Sequence, residues 1–145
     1  MQRVVILRGI PGCGKSTYAK TLQNATLVST DDFFTDETGK YERVDEKLAE
    51  AHTDCLRKFL AVLERGDETV VVDNTNINPV DVAPYYALAQ VYGYQPEIIT
   101  FDCPASIAGP RNTHGVPQEH VDRLEQSLRQ FKLPKRWNQR VIQQK

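Results

Sequence analysis

The chain has 145 residues, 40% of them apolar and 26% charged, with a net charge of −1. That length and balance fit one domain of ordinary globular composition with a real core, and are too short for two. No apolar stretch approaches the roughly 20 residues that span a bilayer, and Cys13, Cys55 and Cys103 form neither a disulfide framework nor a metal-ligand spacing, so they read as reduced thiols of a cytoplasmic protein.

The first predicted strand, residues 3–7, begins directly after Met1-Gln2, so no signal peptide is expected. It runs into Gly9-Ile10-Pro11-Gly12-Cys13-Gly14-Lys15-Ser16, which satisfies the Walker A pattern G-x-x-x-x-G-K-[ST]. Thr17 and the residues up to Leu22 can continue as a helix. Strand, glycine loop and helix together form a phosphate cradle. Gly9, Gly12 and Gly14 let the backbone turn tightly and aim its N–H groups inward, with Pro11, Cys13 and Thr17 completing the loop. The helix adds the positive end of its dipole. Lys15 would reach the β- and γ-phosphates, and the Ser16 hydroxyl would bind Mg²⁺. A nucleoside triphosphate, ATP or another NTP, is the expected ligand. Because Cys13 lies inside the loop, bulky thiol reagents are expected to block nucleotide binding.

A short second strand is predicted at residues 26–29, followed by Thr30-Asp31-Asp32. Val44, Leu48, Ala51, Cys55, Phe59 and Val62 then recur at helical spacing, with Gly66 as the stop. The third strand, residues 69–72, leads into Asp73-Asn74-Thr75-Asn76. Asn78-Pro79 opens a helix that ends near Tyr92-Gly93, and Pro84 is expected to delay or kink it. Its Tyr85-Tyr86 pair would stack a nucleobase or fill the core. A fourth strand, residues 97–101, ends at Asp102. A polar stretch, residues 110–115, has the place of a lid and carries Arg111. The last helix begins near Pro117 and is expected to bury Val121, Leu124, Leu128 and Phe131. His52, His114 and His120 show no ligand spacing.

Residues 126–145 contain six basic side chains (Arg129, Lys132, Lys135, Arg136, Arg140 and Lys145) and no acidic one, so the rest of the chain carries −7. Such a tail reads as a site for an anionic partner or as a solvated helix end with a frayed terminus. The organisation expected is a P-loop domain over residues 1–131 and a basic tail over 132–145.

Strands alternating with helices imply an α/β fold with a parallel sheet covered on both faces. In such a sheet ligands bind at the carboxyl ends of the strands. The phosphate loop, Asp31-Asp32, Asp73 and Asp102 are therefore expected to converge. Asp73 ends an apolar strand in a Walker B-like arrangement and could hold Mg²⁺ through water. Asp31 or Asp32 could accept the proton of an attacking hydroxyl. Arg111 could close over the triphosphate and stabilise transition-state charge.

Taken in order, these segments resemble the 5′-kinase domain of phage-type polynucleotide kinase and related P-loop domains. The resemblance rests on the phosphate loop, Ser29-Thr30-Asp31-Asp32-Phe33-Phe34, the stretch from Val71 to Pro79, Phe101-Asp102-Cys103-Pro104, and Arg111-Asn112-Thr113-His114-Gly115-Val116-Pro117. It implies a three-layer P-loop kinase fold with a small, mostly parallel sheet and a lid. It also implies Asp31 as general base toward a 5′-hydroxyl, Lys15 and Ser16 on phosphates and metal, and Arg111 on the triphosphate. The chain departs from that family where Phe33-Phe34 replaces an acceptor-binding arginine, either to stack a base or to fill the core. The implied activity is ATP-dependent transfer of phosphate to a polynucleotide 5′-OH; the charge of the tail makes nucleic acid its expected partner, and the lack of a long apolar stretch makes no membrane contact expected. A kinase of nucleosides or sugars, and a nucleotide-dependent binding module, are the other readings.

Overall fold

The computed structural model describes residues 2–144. Within them the order is β1 (Arg3–Arg8), α1 (Lys15–Ala19), β2 (Ala25–Val28), α2 (Leu48–Arg65), β3 (Thr69–Asp73), α3 (Pro79–Val91), β4 (Gln95–Asp102), α4 (Ala105–Ala108), α5 (Gln118–Gln130) and β5 (Gln139–Gln143). The strands form one sheet in the order β2-β3-β1-β4-β5, and every pairing is parallel. The architecture is the three-layer α/β arrangement that the alternation predicts.

The central strands are continuous β-branched and aliphatic runs because both of their faces are buried. Val4, Ile6, Val70, Val72 and Ile98 face one layer, with Phe59, Val62 and Leu63 of α2 and Val82, Tyr85 and Ala89 of α3. Val5, Leu7, Val71, Ile99 and Phe101 face the other, with Ala19 of α1, Ala105 and Ala108 of α4 and Val121 of α5. The alternation is the two-residue period of a strand made visible. Each of the Val, Ile, Leu and Phe side chains among them contributes roughly 1.5–3 kcal/mol on burial. In α2 the buried positions Ala51, Cys55, Phe59 and Val62 repeat at one helical face, and the helix stops on Gly66 at φ 84°. No helix among the described residues is long and apolar enough to cross a membrane.

Several expectations change. Residues 139–143, read as part of a basic tail, form the edge strand β5 on β4. The segment leading to it is anchored: Leu133 is buried, and Trp137 stacks on Tyr86 with ring centroids 5.0 Å apart. Arg140 faces Glu97 at 3.4 Å, and Arg129 sits 3.3 Å from Asp102. Lys145 lies outside the described residues. Phe131 is 40% exposed rather than buried. Helix α5 has ended by then, and the Phe131 carbonyl accepts a 2.8 Å bond from Arg8. Helix α3 starts at Pro79 without delay, capped by Asn78, whose side chain accepts from Val80 N–H at 3.0 Å, and runs on through Pro84; the N–H that Pro84 lacks would have bonded the carbonyl of Val80, a residue that is 73% exposed. Tyr85 and Tyr86 are core residues.

Candidate active site

At the carboxyl edge of the sheet lies a cleft of about 790 Å³, and residues 11–17 of the glycine loop form its floor. The loop is held from below: Gly9 N–H donates to Thr75 O at 2.9 Å, and Cys13 N–H to Ile10 O at 3.2 Å. Gly12 and Gly14 take φ of 85° and 99°, the left-handed region that only glycine enters without strain. At Gly12 a Cβ would also overlap the carbonyl of Ala108, so α4 packs directly on bare backbone. Gly9 stands beneath the cleft rather than on its wall. A Cβ there would press on Cys13 Sγ and on Phe101.

Lys15 is buried, and its ammonium donates to Gly9 O at 2.9 Å and Ile10 O at 3.1 Å. These carbonyls hold the cation at the loop. Ser16, on the first turn of α1, donates from Oγ to Asp73 Oδ2 at 3.0 Å. Asp73 ends β3 and has no ion-pair partner among the described residues. Burial pushes its carboxyl above the usual range, and the Lys15 charge and the Ser16 bond offset only part of that. A hydroxyl and a desolvated carboxylate side by side form an oxygen donor set suited to a hard cation. The remaining ligands would come from phosphate oxygens and water.

The loops that follow the strands are stitched together. Asn74 Oδ1 accepts from Thr30 N–H at 2.8 Å and from the Thr30 hydroxyl at 3.1 Å, joining the end of β3 to the end of β2. Asn76, at φ 50°, donates to Leu7 O at 2.8 Å. Arg8 is buried and its guanidinium donates to the carbonyls of Asn76, Ile77 and Phe131. Desolvation lowers its pKa to about 10.

Ser29 caps a short 3₁₀ turn, its hydroxyl accepting from Asp31 N–H at 3.1 Å. That turn puts Asp31 on the cleft wall, whereas Asp32 is exposed and does not line it. A tight loop through Gly39 then brings back Tyr41, bridged to Thr35. His114 reaches Asp31 from the opposite side, Nε2 to Oδ2 at 3.3 Å, and its ring lies 4.2 Å from that of Tyr41.

Arg111, in a 3₁₀ turn after α4, lines the cleft and has no ion-pair partner among the described residues. Asp102, expected to join the acidic edge, does not line the cleft. Arg129 neutralises it, and its carbonyl accepts from Gln144 N–H at 2.9 Å. Phe33 and Phe34 do not line the cleft either. Phe34 is buried edge-on against Phe33, with centroids 5.4 Å apart. Lys132, Lys135 and Arg136 are exposed but lie outside the cleft lining.

Sequence reasoning missed Tyr41, Arg43, His52 and Gln144, all of which line the cleft. None carries a local signal. Arg43 and His52 precede or open α2, and Gln144 reaches the Gly14 region only because β5 pairs with β4. The one available hint was His114, which belongs to the segment that follows Arg111.

The AAA domain family model matches residues 4–134. NEDD4-binding protein 2 of Homo sapiens is 34% identical over 137 residues, covering 88% of this chain and 8% of that protein. A protein of Autographa californica nuclear polyhedrosis virus, named for polynucleotide kinase and RNA ligase functions, is 29% identical over 109 residues. That match covers 64% of this chain and 15% of the viral protein. A chain from a structure of the Pnkp1/Rnl/Hen1 RNA repair complex superposes with a TM-score of 0.66 at 19% identity, over 89% of this chain and 44% of that one. The likeness to that chain is one of fold. The chain thus spans less than half the length of each of these relatives.

Proposed function

The chain belongs to the AAA domain family and has the P-loop kinase-type fold, and on that premise we propose that it transfers the γ-phosphate of ATP to a hydroxyl, that of a polynucleotide 5′ end. One observation carries the reading. The glycine loop with Lys15, the Ser16–Asp73 pair and the Asp31 carboxylate all line a single cleft. These are the parts that phosphoryl transfer needs: a charged cradle, a metal-binding edge and a base opposite them.

The triphosphate would lie on the N–H groups of the loop, with its oxygens taking Lys15 away from the carbonyls of Gly9 and Ile10. Ser16 and Asp73 would hold Mg²⁺, which supplies charge neutralisation on the phosphate oxygens. Asp31 accepts the proton of the acceptor hydroxyl as its oxygen bonds to the γ-phosphorus. The bond from that phosphorus to the bridging oxygen breaks, and ADP leaves. Arg111 closes over the triphosphate from the lid side and stabilises the charge that develops. The polynucleotide acceptor draws support from the name of the viral relative and from exposed Lys132, Lys135 and Arg136 on the outer surface.

The test is incubation with γ-labelled ATP and Mg²⁺ in the presence of 5′-hydroxyl DNA, 5′-hydroxyl RNA, nucleosides and sugars. Label on an oligonucleotide end is the expected result. Label on a nucleoside or sugar alone overturns the acceptor assignment and keeps the kinase. ATP binding without transfer to any acceptor, unaltered by Asp31→Asn, identifies a binding module instead.

A further inference from the structure

The lid segment is built as a compact loop with Thr113 and His114 at its tip. Asn112 closes it: Nδ2 donates to Gly109 O at 2.7 Å and Val116 O at 3.1 Å, and Oδ1 accepts from Val116 N–H at 2.9 Å. Gly115 supplies the turn at φ 68°. His114 is thereby carried across the cleft. The lid follows β4, on one side of the sheet centre, while Asp31 follows β2, at the far edge. The contact between them bridges the carboxyl ends of β1 and β3. It is not left to an ion pair alone, because the imidazole also packs at 4.2 Å, tilted by 45°, against Tyr41. The contact sets Nε2 of the imidazole against one oxygen of the Asp31 carboxyl group, at 3.3 Å.

We propose that His114 is a positioning residue that latches the lid to the base: it orients the Asp31 carboxyl group through Oδ2 and seats Arg111 over the loop. The inference rests on the reading of Asp31 as the base. Arg111 stands three residues before His114 on the same bridged loop, so fixing one end of the loop restricts the other. His114 and Asp31 are each roughly two-fifths exposed, at 39% and 43%. A pair that exposed is weak, so it seats the lid without locking it, and the cleft still opens for exchange of ligands.

Two measurements on the full chain test the latch. Amide hydrogen exchange of residues 111–116 without nucleotide reads the contact independently of any acceptor. His114→Ala and Asp31→Ala are each expected to raise exchange across that segment, and unchanged exchange in both overturns the proposal. In phosphotransfer, His114→Ala is expected to lower kcat about tenfold with KM for ATP unchanged, since a misplaced group costs turnover rather than binding. His114→Gln, which keeps an N–H donor, is expected to recover part of the loss. In an Asp31→Asn background the His114→Ala effect is expected to vanish. An equal loss in both backgrounds, or a loss carried by KM for ATP alone, overturns the proposal. If the unaltered protein transfers phosphate to no acceptor, the kinase reading fails, and hydrogen exchange still decides the latch.

Discussion

Ser16 and Asp73, 57 positions apart in the chain, meet at 3.0 Å through Oγ and Oδ2. The contact joins the first turn of α1 to the last residue of β3. It is a consequence of register: Leu7 pairs with Asp73 across the sheet, so the loop that leaves β1 turns back over the end of β3.

Asp73→Asn is expected to separate stability from function. Burial raises the carboxyl pKa, so the folded state binds the proton more tightly than the unfolded chain and stability falls as pH rises through that range. The amide removes that cost, and the ligand-free variant should melt above the unaltered protein at pH 7. Its requirement for Mg²⁺ in nucleotide turnover should rise about 10- to 100-fold. Thermal melts and a Mg²⁺ titration read the two effects.

Gly12→Ala is expected to abolish nucleotide binding. The backbone there is left-handed, and the new methyl would overlap the Ala108 carbonyl, so either the loop or α4 must move. For the unaltered protein, ATP at a hundredfold excess over Kd stabilises by about 2.7 kcal/mol. That ligand-induced rise in Tm should be missing from the variant.

Cys13 is expected to resist thiol reagents, contrary to what its place in the loop implied. The residue is 2% exposed and packs in the core layer beneath the loop. Burial raises the thiol pKa despite the Lys15 ammonium 3.7 Å away, which keeps it protonated and unreactive. Titration with a disulfide reagent at pH 8 should label it only after denaturation.

Asp67 is expected to shape the acid limb of stability. Its carboxylate accepts from Arg65 Nε at 2.8 Å and from the Thr26 hydroxyl at 2.6 Å, which holds it well below its ordinary 3.8. A depressed carboxyl contributes stability that is present above the unfolded value and lost as pH falls toward the folded one. Asp67→Asn should therefore be less stable than the unaltered protein at pH 7, and the gap should shrink below about pH 4. Urea melts at pH 7, 4 and 2.5 would show it.

Four strands and the longer helices were legible because their signals are local. The apolar runs at 3–7 and 69–72, and the four-residue repeat from Ala51 to Phe59, are burial patterns written in order along the chain. β5 was not legible. Gln139-Arg140-Val141-Ile142-Gln143 is an edge strand in which only Ile142 is partly covered, so it has little apolar content to reveal it and becomes a strand by pairing with β4. Phe33-Phe34 could not be assigned for a related reason. Whether an aromatic pair faces ligand or core depends on what packs against it, here Tyr41 on Phe34 at 6.3 Å.

The order of residues by itself determined the phosphate loop, because a glycine turn between a strand and a helix is a contiguous device whose geometry needs no distant partner. It also determined that Asp31 and Asp73 would share the loop's edge, since parallel strands end on one side. Only the tertiary structure decided that Asp102 is neutralised by Arg129 and that His114 crosses to Asp31, and it puts Asp31, the residue the family resemblance implies, on the cleft wall with Asp32 turned away. Those outcomes turn on side-chain direction and on charges brought together from far apart in the chain, and no local pattern encodes either.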